Sequence, residues 1–153
     1  DEMFLAGLLH DLGLVVERQA FPSELEEIAR RRRADEGGLL ELEIDVIGAS
    51  HQELGEALMA KWRFPRGLRK IASHHHDPEA LPEEYGRRGS LLRVADLLAG
   101  ELGIGSGLAD DVADPGAFPL AAAGVDPGQL AEVRDRLPDA VAEAMAVFGG
   151  EGK

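Results

Sequence analysis

Four apolar segments of this chain each carry an imidazole or a carboxylate on the side that folding must bury. Such groups cost free energy out of water unless each meets a partner. His10 and Asp11 close the apolar run at residues 3–9, and His51 opens an amphipathic helix on its apolar side. His74, His75 and His76 end another helix, and Asp96 interrupts the apolar stretch at 91–99. Any fold of this chain must bring these groups to partners, so they constrain packing and chemistry together.

The punctuation is that of an all-α chain. Residues 2–12 are almost uniformly apolar and read as a central helix stopped by Gly13. Pro22 and Ser23 open a second helix to about Arg33, broken by Gly37 and Gly38. Residues 39–47 alternate like a strand, but an isolated strand has nothing to pair with, so a helix or an extended connector is expected. Ser50 and Glu53 form a capping box, followed by Leu54, Leu58 and Trp62 at helical spacing. Pro65 suits the first turn of a helix to about His76. Ser90 reads as the cap of a helix through Leu102, stopped by Gly103, and residues 103–119 read as a loop. Asp126 and Pro127 open a last helix, kinked or split near Pro138 and ended by Gly149 and Gly150. The prediction is one domain over residues 1–153, a compact multi-helix bundle. Asp1 falls inside a helical pattern, which predicts that the N-terminal part of the domain lies upstream.

Helical spacing decides which histidines face inward. His51 shares a face with Leu54, Leu58 and Trp62. His75 shares one with Leu68, Ile71 and Ala72, with His76 at its border, while His74 falls on the Lys70 side and is predicted to be exposed. Asp96 lines up with Leu92 and Ala99. Any one of these residues, taken singly, reads as a hydrogen-bonded core histidine or a capping carboxylate. Together, with no buried lysine and no obvious arginine to pair them, they fit a shared cation better.

The ligand chemistry narrows that cation. Imidazole mixed with carboxylate, and no thiolate, suits iron, manganese, zinc, nickel or cobalt. Calcium and magnesium prefer all-oxygen shells. His10, Asp11, His51, His75, His76 and Asp96 exceed one tetrahedral site. They suit one octahedral ion, or two ions of the kind that hydrolyse phosphoesters at a separation of about 3.5–4 Å.

Composition excludes several classes. A net charge of −13 argues against sequence-independent binding to a phosphate backbone. The four arginines at 30–33 point all round a helix and read as a solvated turn. No cysteine is present, which removes disulfides and thiol nucleophiles. No apolar run approaches a membrane span, and no signal peptide is visible, so a cytoplasmic setting is the expectation.

Residues 8–13 (Leu-Leu-His-Asp-Leu-Gly) resemble the signature of the HD superfamily of metal-dependent phosphohydrolases. Residues 48–55 (Gly-Ala-Ser-His-Gln-Glu-Leu-Gly), 61–65 (Lys-Trp-Arg-Phe-Pro) and 71–78 (Ile-Ala-Ser-His-His-His-Asp-Pro) are more specific. They resemble the HDOD family, the HD-related output domain, a bacterial helical module related to the HD-GYP cyclic-di-GMP phosphodiesterases. The resemblance runs to about residue 105. It implies an HD-like bundle in which His10, Asp11, His51, His75, His76 and Asp96 hold one or two divalent ions, Asp11 bridging. Two departures stand out. The HD-GYP enzymes typically carry Lys where this chain has Leu14, and their Gly-Tyr-Pro loop is missing after His76, where Tyr85 and Gly86 do not form the motif.

The resemblance therefore implies a signal-transduction output module acting on a partner protein, an attached regulatory domain or a nucleotide ligand, without established catalysis. The competing expectation is a metal-dependent phosphohydrolase of a nucleotide or cyclic dinucleotide. A third is a metal-free core in which the histidines bond to carboxylates.

Overall fold

The computed structural model describes residues 2–101, 103 and 120–148. Among them every regular element is helical, in agreement with the predicted all-α class. The helices are α1 (Glu2–Leu9), α2 (Leu12–Ala20), α3 (Pro22–Arg33), α4 (Leu39–Val46), α5 (His51–Lys61), α6 (Arg66–Ser73), α7 (Glu83–Glu101), α8 (Leu120–Ala123) and α9 (Pro127–Phe148), with a 3-10 turn at Pro78–Ala80. Among the described residues no helix is long and apolar enough to cross a membrane.

Local chemistry sets several boundaries as predicted. Pro22 fills the first position of α3. Ser50 accepts from the Glu53 backbone N–H at 3.3 Å while the Glu53 carboxylate accepts from Ser50 N at 2.9 Å, which closes the capping box. Pro65 caps α6, and Gly103 turns the chain after α7 with φ of +67°. Most of the expected loop at 103–119, and the stop at Gly149 and Gly150, lie outside the described residues.

Among the described residues, packing builds three clusters. Ala6, Leu68, Ile71 and Leu92 join α1, α6 and α7. Ile28, Leu39 and Leu42 join α3 to α4. Val94, Leu98, Ala123 and Leu130 join α7, α8 and α9. Helix α5 lies between α2 and α6, which carries its N-terminus to the ends of both.

Five expectations need correction. The first helix ends at Leu9, His10 and Asp11 occupy a turn, and a separate α2 begins at Leu12, so Gly13 lies inside a helix. Its lack of a side chain serves a crossing, since a Cβ there would sit 1.8 Å from the His51 carbonyl oxygen. Helix α1 is not central: Phe4 and Leu8 are 72% and 67% exposed. The inward stripe of α5 is His51, Gly55 and Met59, while Trp62 is exposed, because the glycine contact with α2 rather than the leucines centres the face. Helix α7 begins two turns before Ser90, which is buried in its middle. Last, of the two readings at Pro138 the split is overturned, since α9 runs through it as one helix.

Candidate metal centre

The ends of α1, α5 and α6 and the middle of α7 meet at one place. His10 and Asp11 stand in the α1–α2 turn and His51 is the first residue of α5. His75 and His76 follow α6, which ends at Ser73 rather than at His76, and Asp96 projects from α7. All six predicted site residues are neighbours. Ring centroids are 4.7 Å apart for His10 and His75, 5.4 Å for His51 and His75, and 4.1 Å for His75 and His76.

Tautomers follow from the partners. Carbonyl oxygens only accept, so His10 Nδ1–H donates to Gly7 O at 2.8 Å and His75 Nδ1–H to Ala72 O at 2.7 Å. His51 Nδ1–H donates to the buried Glu43 carboxylate at 2.8 Å, and Glu43 also accepts from the His51 backbone N–H at 2.9 Å. The Nε2 lone pairs of all three rings therefore remain available, and each faces Asp11. His75 Nε2 lies 3.4 Å and His51 Nε2 3.9 Å from Asp11 Oδ1, and His10 Nε2 lies 3.4 Å from Oδ2. Nε2 of His51 and of His75 are buried and make no hydrogen bond. A ring held at Nδ1 by a carboxylate or carbonyl, with Nε2 presented inward, is the arrangement of a metal-ligating histidine. The residues thus fit a divalent cation, and two triplets have ligand atoms within 4.8 Å of one another: His10, Asp11 and His75, and His51, His75 and His76.

Electrostatics point the same way. Burial alone would raise the Asp11 carboxyl, but the close approach of the His75, His10 and His51 rings overcomes it and brings it down to about 2. Burial also opposes ionisation of Asp96, yet the His10 ring 3.6 Å away and the nearby Arg93 hold it below its ordinary value. Burial would lower His10, but Asp96, Asp11 and the Gly7 carbonyl together raise it. The pocket favours positive charge on its carboxylate side, supplied by a proton or by a cation that displaces it.

His76 differs. Burial, then His75, His51 and Arg93, push it down to about 3, so it is neutral. Arg93 Nη1 donates to His76 Nδ1 at 3.1 Å and to Asp96 Oδ2 at 2.9 Å. The expectation that no arginine pairs these groups is therefore wrong. Arg93 and Asp96 are three residues apart, and the contact with His76 is tertiary. His74 is half-buried rather than exposed: its Nδ1 bonds back to Lys70 O at 3.1 Å, and it belongs to neither triplet. Sequence reasoning missed Glu43. Its signal was its spacing with Leu39, Leu42 and Val46, which puts it on the apolar face of α4. In the arginine run, Arg30 pairs with Glu27, Arg31 pairs with Glu36 and Asp45, and Arg32 donates to the Gly37 carbonyl.

Comparison with known proteins gives the family and the fold. The HDOD domain family matches residues 1–78, a span that holds every residue of the centre except Arg93 and Asp96. An uncharacterized protein of Treponema pallidum (strain Nichols) is 34% identical over 87 residues, 55% of this chain and 16% of that protein. The crystal structure of a "putative phosphohydrolase" from Shewanella amazonensis SB2B superposes with a TM-score of 0.70 over 89% of this chain and 50% of that one, at 24% identity. The last likeness is one of fold. In both comparisons the chain spans half or less of the other protein's length.

Proposed function

The chain belongs to the HDOD domain family, and on that footing we propose that it is a bacterial signal-transduction output module whose His/Asp centre holds a divalent ion without turning over a substrate. The observation that carries the metal reading is the pair of buried, unpartnered Nε2 atoms on His51 and His75 facing Asp11. His10, Asp11, His51 and His75 would hold the ion. Bound there, it would supply Lewis-acid chemistry toward a phosphoester. The chain's own residues do less than a hydrolase requires. Leu14 stands where related enzymes carry a lysine, and the arginine at the centre is engaged by Asp96 and His76. An acidic chain with its local cation occupied repels a phosphate diester rather than gathering it. The output would be a protein contact or a bound nucleotide sensed by an attached domain.

The second reading, a phosphohydrolase of a nucleotide or cyclic dinucleotide, is favoured by the retained His/Asp set and by the fold shared with the Shewanella protein. Incubation of metal-loaded protein with cyclic dinucleotides and with a general phosphodiester separates the two. The output reading predicts no turnover. Hydrolysis that disappears in Asp11→Ala would replace it with the enzyme.

Metal occupancy tests the centre itself. His51→Ala and His75→Ala are expected to lose most bound metal in elemental analysis, because each removes an inward Nε2. His74→Ala is expected to keep it. Equal loss in all three would break the assignment.

A further inference from the structure

The six candidate ligands are not equivalent, and one cation divides them. Around Asp11, three imidazoles present free Nε2 atoms. On the other side, Arg93 takes Nδ1 of His76 and Oδ2 of Asp96. We infer that Arg93 stands in the place of a second metal ion and limits the centre to a single divalent cation. This inference rests on the metal reading above and adds to it a stoichiometry and the residue that sets it.

Three physical points support it. First, a guanidinium can only donate, so His76 Nδ1 must accept. A neutral imidazole has one ring proton, which then sits on Nε2. His76 thus has no lone pair left for a metal while Arg93 stays in place. Second, the Arg93 side chain is 13% exposed. A charge so withdrawn from water needs its partners, and among the described residues Asp96 and His76 are what it has. Third, a paired metal site places its ions about 3.5–4 Å apart. A guanidinium at hydrogen-bond distance from two of the six ligands would lie against the second ion, and two positive charges that close repel strongly away from water. Asp96 Oδ1, 3.6 Å from His10 Nε2, still faces the Asp11 side, so the arginine takes only half of that carboxylate.

The test measures metal content and ring tautomers, not activity. Protein dialysed against Zn(II) is expected to retain one ion per chain, and Arg93→Met two. His76→Ala placed on Arg93→Met should return the count to one. In the wild type, imidazole 15N spectra should show the His51 and His75 Nε2 signals moving with the first equivalent of Zn(II). His76 should keep its Nε2–H tautomer throughout. This spectrum decides the matter on its own if Arg93→Met does not fold. Two ions in the wild type, a His76 signal that moves with the first equivalent, or a folded Arg93→Met that still holds one ion would each overturn the inference while leaving the metal reading intact. No ion in the wild type would instead remove the metal reading, and this inference with it.

Discussion

Gly13→Ala is expected to cost about 3 kcal/mol or more of stability, a large fraction of what a domain of this size has. The added Cβ would lie 1.8 Å from the His51 carbonyl oxygen, 2.5 Å from its carbon and 2.8 Å from its Cα. These are backbone atoms of the first turn of α5, so no side chain can swing aside to make room. Either α2 and α5 separate or His51 leaves the centre. Gly55, on the facing helix, is the contrast. A Cβ there would meet Gly13 N at 3.3 Å, tight but open to small adjustment, and Gly55→Ala should cost only about 1 kcal/mol. Urea unfolding of the two variants checks the order. Wild-type stability in Gly13→Ala would mean that the crossing is looser than these distances state.

Glu17→Gln is expected to stabilise the protein at alkaline pH and to do little in acid. Glu17 on α2 is fully buried and neither carboxyl oxygen has a hydrogen-bond partner. Burial, then the nearby Glu43 charge, raise it from 4.5 to about 7, against a smaller opposing effect of His51. Below the unfolded-state value near 4.5 the group is protonated in both states and costs nothing as a charge. Between there and about 7 the unfolded chain ionises while the folded chain keeps its proton. Unfolding then releases a proton, and stability falls as pH rises. Above that window the penalty is constant, at about 3 kcal/mol for the whole shift. Glutamine mimics the protonated group, so the variant should gain about that much in urea melts at pH 8. At pH 4 it should match the wild type. A gain independent of pH would show that Glu17 ionises in the folded protein as freely as in the unfolded chain.

These two residues also show where the sequence stops being readable. Signals that act within a few residues were legible: Pro22, Pro65, Gly103 and the Ser50–Glu53 box set helix ends in the structure as they do in the sequence. The members of the centre were legible for a related reason. An imidazole or carboxylate inside an apolar run stands out whatever it binds, and four such runs suggested convergence. What hid was tertiary. Gly13 follows an apolar run and so looks like a stop; only the approach of α5 shows that it is a crossing. Glu43 lay among Glu41 and Asp45, whose alternation suggested a strand and masked its place on the apolar face. Arg93 pairs with His76 across two elements, which spacing along one helix cannot reveal. The start of α7 hid behind Gly86 and Gly89, poor helix formers. A Cβ at Gly89 would meet Leu81 Cδ1 at 2.3 Å and Pro78 Cβ at 3.3 Å, so Leu81 would have to turn aside.

The measurement that bears most directly on the centre is elemental analysis of the purified protein, paired with its melting temperature before and after a chelator. Convergence of His10, His51 and His75 on Asp11 around a cation predicts stoichiometric divalent metal and a lower melting temperature once it is stripped. An ion present at a hundredfold over its Kd adds about 2.7 kcal/mol to the native state. Metal-free protein that melts at the same temperature with and without chelator, and does not shift when divalent ions are added, would contradict the account and leave these imidazoles as hydrogen-bonded core residues.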